Sequence, residues 1–387
     1  MKINEFKLDK FTTFYIIFML YFIPRFLEYT TFTQLISCQS LFTSLKNISY
    51  ILIMGYNLFF IIKKDRFQIK YILVLLFCFI YFAYQAFWEQ ERAIFVVFFF
   101  SLCFDIKYLD KYIKRTYTVS VILYCFTIVC SFLGIIDNVS TEVEKLGIIL
   151  YRNSMGFNYP GQMIMSLIPI MFMHYYLNRK KITWKINFIW FLLGSIVFMV
   201  SKTVMGYMII LLFIVISIVI RYIKSNPRVE VIKNVLIRFS PYICCFFTLF
   251  LLWLKALGTR VGEFLDGALN GRLNLGNIFI DMFGIKMFGT DFVNSTEYYY
   301  QIIDSEYIYM LVAAGIIYTL VSLKLMEVCV CYAKRSKMLC LIWVLIFINA
   351  IVNNGVFNYV FNPFSIMLVP AIEYATKKNK NTFNVTP

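Results

Sequence analysis

Two carboxylates, Asp304 and Glu306, stand on either side of Ser305 where a polar stretch gives way to an apolar run. The helix predicted for that run favours negative charge at its start, through its dipole and its free N–H groups. One reading is therefore an ordinary acidic N-cap. The other is a general base, because a carboxylate partly withdrawn from water can take a proton from a hydroxyl near neutral pH. Cations suited to an anionic partner lie elsewhere in the chain. Arg272 follows Asn270-Gly271, and Arg260 precedes it in the same polar stretch. Arg152 sits in Tyr151-Arg152-Asn153-Ser154-Met155-Gly156-Phe157-Asn158-Tyr159-Pro160, where Tyr159 and the other rings flank it. Rings stack on sugar faces and a guanidinium grips phosphate oxygens in pairs. The alternative is an interfacial aromatic belt with an arginine reaching out of it. Lys202 lies in Ser201-Lys202-Thr203, ahead of Gly206, between two apolar runs joined by almost no loop. It is either an ammonium held close to the bundle or a lysine at headgroup level.

Other chemistries lack their residues. The single histidine, His174, cannot build a zinc site or a His-based triad by itself. The ten cysteines fall almost entirely within apolar runs, as Cys244-Cys245 do, and read as small buried hydrophobes without metal-ligand spacing. No P-loop or nucleotide-binding glycine motif is present, which excludes an ATP-driven pump. No metal and no cofactor are expected.

The elements that must position these groups are membrane helices. Mean hydropathy is +0.74 and 61% of residues are hydrophobic. Apolar runs near the length that crosses about 30 Å of hydrocarbon recur along the whole chain. Weak strand-like alternation argues against a β-barrel. The expected fold is all-α: one polytopic helical bundle over 1–387, with about twelve transmembrane helices. They are placed near 11–28, 47–62, 71–88, 92–105, 116–136, 161–177, 186–201, 204–220, 239–256, 304–325, 338–352 and 358–375. The residues 257–303 form a large extracytoplasmic loop in the second half, rich in glycine and charge. With both termini cytoplasmic, 27 of the 37 lysines and arginines fall in the inner segments, as the positive-inside rule predicts. The net charge of +16 is thus a topology signal carried by clusters such as Lys63-Lys64 and Arg179-Lys180-Lys181, and nucleic acid is not an expected partner. Met1–Lys10 is polar and no small-residue cleavage site follows, so a cleaved leader is not expected.

In the order of these features the chain resembles the bacterial O-antigen and capsular polysaccharide polymerases of the Wzy type, within the O-antigen ligase/polymerase superfamily. The residues that carry the resemblance are the turn at 152–161, Ser201-Lys202-Thr203, Gly271-Arg272, the stretch Met287-Phe288-Gly289-Thr290-Asp291 before the acidic helix start, and Gly315 after it. The resemblance implies a fold related to the lipid-donor glycosyltransferases of the C type. It implies metal-independent, inverting glycosyl transfer at the outer face of a bacterial cytoplasmic membrane. The substrates would be oligosaccharide repeat units linked to undecaprenyl pyrophosphate, and a flippase and a chain-length regulator would be pathway partners. Arg152, Tyr159, Lys202 and Arg260 would then bind substrate, and Arg272 would act with Asp304 or Glu306 in catalysis. Relatives commonly carry arginine where Lys202 stands. Ligase-type relatives carry a histidine where this chain has Asp304-Ser305-Glu306. The competing readings are a flippase or other transporter for lipid-linked repeat units, and a ligase-type transferase.

Overall fold

A computed structural model of the chain describes residues 9–62, 69–88, 93–145, 148–222, 227–290 and 304–383. The pair Lys63-Lys64, both chain termini, Asp291 and Glu297 lie outside the described residues. The elements in chain order are α1 (Lys10–Leu27), α2 (Ile36–Ile62), α3 (Ile69–Trp88), α4 (Ala93–Leu102), α5 (Leu109–Phe132), β1 (Ser140–Lys145), β2 (Ile148–Asn153), α6 (Pro160–Leu177), α7 (Trp184–Ser201), α8 (Val204–Tyr222) and α9 (Pro227–Ala256). There follow α10 (Arg260–Ala268), α11 (Arg272–Phe283), α12 (Glu306–Tyr309), α13 (Gly315–Ala333), α14 (Lys337–Asn349) and α15 (Leu368–Phe383). One π-helical turn, Met310–Ala314, joins α12 to α13.

Among the described residues, five helical stretches are long and apolar enough to cross a membrane: Lys10–Leu27, Ile106–Phe132, Trp184–Ser201, Glu230–Ala256 and Glu306–Ala333. Further apolar helices are shorter, at 10–17 residues. Large apolar side chains stand outward on α2, α3, α7 and α9, with Ile51 71% and Phe246 72% exposed. Such a surface belongs against hydrocarbon. The interior is aromatic. Phe14, Phe18 and Phe22 follow one face of α1, and Phe18 meets Phe100, Tyr112 and Tyr359 edge-on.

The helices pack largely as chain neighbours. α1 lies on α2 and α5, α6 runs against α5, α7 and α8, and α9 meets α13 and α14. α15 packs on α4 and α13 and so brings the end of the chain back to its first third. Local chemistry sets several helix starts. Pro160 occupies the first turn of α6, while the hydroxyls of Thr183 and Ser336 accept the backbone N–H groups of Ile186 and Leu339.

Four features differ from the sequence reading. The expected fourth span is α4, whose 10 residues rise only about 15 Å. The loop 137–160 holds a hairpin in which β1 pairs antiparallel with β2, Thr141 opposite Arg152. Among its described residues, 257–290, the charged stretch holds two helices, α10 and α11. Their apolar faces pack on α9 through Leu251, Leu252, Leu273 and Phe279, because leucine and phenylalanine recur there at helical spacing. Between α14 and α15, residues 350–362 form no α-helix, although their apolar side chains, Val352, Val356, Phe357, Tyr359 and Val360 among them, are buried. Asparagines hold this backbone. Asn362 donates to the Val356 carbonyl at 2.7 Å and accepts from the Phe364 N–H at 3.2 Å, while Asn358 accepts from the Val360 N–H at 3.0 Å.

Candidate functional site

The C-terminal end of α1, the N-terminal ends of α6 and α12, and the segment after α14 converge at one end of the bundle. They enclose a cavity of about 560 Å³ whose walls include Arg25, Lys46, Tyr159, Gln162, Asp304 and Glu306.

Glu306 begins α12 and is 5% exposed. Its Oε2 accepts the Gly355 N–H at 2.7 Å and the Val356 N–H at 3.2 Å, and its own N–H donates to the Ala350 carbonyl at 3.0 Å. The irregular segment is thus the cradle that aims this carboxylate along the cavity wall. Asp304 accepts Arg272 Nε at 2.8 Å in a partly buried ion pair. Arg272 is presented by the first residue of α11, whose start is capped by Asp266. Asp266 Oδ1 accepts the N–H groups of Leu273 and Asn274 at 3.0 Å each, and its Oδ2 lies 3.3 Å from Lys255 Nζ.

The turn 152–161 is sewn to the end of α1. The Thr31 N–H donates to the Gly156 carbonyl at 2.9 Å, the Asn158 N–H to the Tyr29 carbonyl at 3.1 Å, and Asn158 Nδ2 to the Glu28 carbonyl at 2.8 Å. Arg152, on β2, reaches the other way, into the α7–α8 hairpin. Its Nε donates to the Ser201 carbonyl at 3.0 Å and its Nη2 to Thr203 Oγ1 at 2.9 Å. Burial, and then the positive charge of Arg272, hold the Arg152 guanidinium below its ordinary pKa. Burial, and then the Asp304 charge, push the Tyr159 phenol up to about 12, so it stays a hydrogen-bond donor.

Of the residues singled out from sequence, Glu306, Asp304 and Tyr159 line one cavity and Arg272 joins them through Asp304, while Arg152 is held by the α7–α8 hairpin. Lys202 forms the left-handed link between α7 and α8, at φ +49°, and is half-buried. Its neighbours Ser201 and Thr203 make the contacts to Arg152. Arg260 is exposed on the first turn of α10 and does not join the cluster.

Sequence reading missed the opposite wall. Glu28 receives Arg25 at 2.8 Å and also Lys46 from α2. The Arg25 guanidinium lies over the Tyr29 ring, 5.1 Å from its centre, and Tyr29 Oη accepts Asn358 Nδ2 at 2.6 Å. The Asn-rich run Asn349…Asn353-Asn354-Gly355…Asn358…Asn362 was the available signal, since asparagine favours turns over membrane helix. Among the described residues, Gln162 Oε1 is buried on this cavity with no hydrogen-bond partner. A buried acceptor left unmade is costly, and a hydroxylated ligand would satisfy it.

The helix that carries Glu306 is locked by a backbone contact. Gly289 and Gly315 both have φ +90°. The Thr290 N–H donates to the Ala313 carbonyl at 3.0 Å, and the N–H groups of Ile316 and Ile317 donate to the carbonyls of Lys286 and Met287 at 3.0 and 3.2 Å. The π turn leaves carbonyls and N–H groups for this pairing. Among the described residues, no group of three or more His, Cys, Asp or Glu is placed to hold a metal ion. Comparison with protein-family models, with curated proteins and with solved structures finds no match to this chain.

Proposed function

We propose that this chain is a membrane glycosyltransferase that polymerises oligosaccharide repeat units carried on undecaprenyl pyrophosphate at the outer face of a bacterial cytoplasmic membrane. In this reading about twelve helices enter the membrane, in a bundle of the C-type glycosyltransferase kind. The observation that carries the proposal is the cavity lined by Tyr159, Asp304 and the buried Glu306, with Arg272 held on Asp304 at 2.8 Å. A guanidinium suits a pyrophosphate, and a buried carboxylate on the same cavity suits a hydroxyl acceptor.

The structure suggests different roles for the two carboxylates. Asp304 is engaged by Arg272 and orients it. Glu306, aimed by two backbone N–H groups, is placed to take the acceptor hydroxyl proton. The acceptor oxygen then bonds to the anomeric carbon of the donor sugar, and the bond from that carbon to the pyrophosphate oxygen breaks. The departing charge is met by Arg152 and Arg272. Behind Tyr21, on the far side of the cavity, Phe18, Phe100, Tyr112 and Tyr359 close the bundle interior. This favours chemistry at one face over passage through the bundle.

The test is deletion of the gene in its host, followed by sizing of the surface glycan. Loss of long polymer, with single repeat units still reaching the outer surface, is the expected result. Lipid-linked units held on the inner side would replace this reading with a flippase.

A further inference from the structure

The cavity has two unlike ends. Glu306 and Asp304 occupy one wall. Arg25, from the last turns of α1, and Lys46, from α2, line the other, while the Glu28 carboxylate that pairs with both is not part of the cavity surface. The cations therefore face the cavity and their counter-ion lies behind them. The three side chains sum to one positive charge, and Glu28 and Lys46 are each less than one-fifth exposed. A positive excess withdrawn from water is costly, and a ligand anion beside the two cations would offset it.

Between the two ends stand groups suited to a sugar. Tyr29 and Phe361 lie with ring centres 4.6 Å apart, and the Arg25 guanidinium lies over the Tyr29 ring. The Gln162 carbonyl oxygen is unpaired there among the described residues. Arg25 and Lys46 pair with Glu28, whereas the cations proposed for the pyrophosphate are held elsewhere, Arg152 on the α7–α8 hairpin and Arg272 on Asp304.

We infer that Arg25 and Lys46 form a second anion subsite, which takes the carboxylate or phosphate substituent of an acidic sugar in the acceptor unit while its hydroxyl faces Glu306. The inference rests on the saccharide reading of the cavity and specifies its substrate class: repeat units that carry an acidic residue near the growing end. Glu28 tunes the subsite by holding the two cations together and setting their excess charge.

The test measures binding and needs no turnover. The full chain in lipid nanodiscs is titrated by calorimetry with three probes: cellobiose, cellobiouronic acid and cellobiose 6′-phosphate. The acidic probes should bind about tenfold more tightly than cellobiose, the size of one charge-assisted contact. Which acidic probe binds better identifies the carboxylate or the phosphate as the natural group. Lys46→Gln and Arg25→Gln should bring the acid-to-neutral ratio close to one, Lys46→Arg should keep it, and Glu28→Gln should raise it. A purely structural staple between α1 and α2 would give lower thermal stability in all of these variants with the ratio unchanged, and that result overturns the inference. Should Arg25→Gln fail to fold, the opposite movements of Lys46→Gln and Glu28→Gln still decide. Equal binding of all three probes to the wild-type chain removes the subsite but leaves a saccharide cavity. Binding of none removes the saccharide reading along with it.

Discussion

The backbone contact between Gly289 and Gly315 gives a prediction whose size can be worked out. A Cβ built on Gly315 would lie 2.3 Å from the Gly289 nitrogen, 2.7 Å from the Met287 carbonyl oxygen and 2.7 Å from the Phe288 carbonyl carbon. These are main-chain atoms, so no side chain can turn aside, and Gly315→Ala must part the two segments. Gly315 also lies at φ +90° and ψ 174°, a region closed to residues with a Cβ at about 2 kcal/mol. Parting the segments removes three backbone hydrogen bonds, from Thr290, Ile316 and Ile317, at about 1 kcal/mol each. The expected loss is about 5 kcal/mol. Gly284 supplies a matched control. It lies at φ +68° and ψ 174° but with nothing within 4 Å of its would-be Cβ, so Gly284→Ala should lose only the conformational part, about 2 kcal/mol. Both are measured by denaturant unfolding in mixed micelles, alongside hydrogen exchange at the three amides. Gly315→Ala should also weaken polymer formation, because the parted segment no longer fixes the helix that begins at Glu306. If Gly315→Ala proves within about 1 kcal/mol of Gly284→Ala with the three amides still protected, the lock is not what holds this helix.

Four substitutions test the site directly, scored by polymer length and by turnover with a lipid-linked substrate at equal protein level. Glu306→Gln should lower turnover by about 10²–10⁴, the range for a lost general base, while its remaining carbonyl oxygen still accepts the Gly355 N–H; long polymer in this variant would remove Glu306 from the mechanism. Arg272→Ala should cost about 10²–10³ and leave Asp304 without its partner, and normal chain length would count against a role in leaving-group charge. Lys202→Arg should keep activity, because the hairpin acts on Arg152 through Ser201 and Thr203; complete loss would give the ammonium itself a role. Tyr159→Phe should weaken substrate binding without altering the pH profile below pH 10, since the phenol is pushed up to about 12 and is neutral throughout that range; an alkaline limb that disappears in the variant would contradict this.

The membrane class and most helices were legible because hydrocarbon imposes long apolar runs that composition cannot hide. Asp304, Glu306, Arg272 and Arg152 stood out because charge is rare in such a chain. What the sequence did not give up was who meets whom. That Arg152 is held by the α7–α8 hairpin, and that Arg272 pairs with Asp304, follow from tertiary contacts with no local signature. Arg260 looked equivalent to Arg272, yet the side of α10 that packs on α9 leaves it in solvent. Residues 350–362 resemble parts of two spans by hydropathy, because their valines and aromatics are buried. Asparagine side chains there satisfy main-chain groups and release the backbone from the helix. Arg25, Glu28 and Lys46 were obscured for a related reason: each is a single charge at the edge of an apolar run, and only packing shows that Glu28 holds the two cations together.

The irregular segment after α14 bears on how such a protein could diversify. One wall of its cavity is shaped by main-chain groups that asparagines hold in place, while the rings and charges facing the interior project from separate helices. Exchanging Tyr50, Asn47 or Lys46 would recolour the chamber without redrawing its outline. A lineage built on this plan can explore new substrates by altering the furnishings one at a time, while Glu306 keeps its cradle and the frame stays intact.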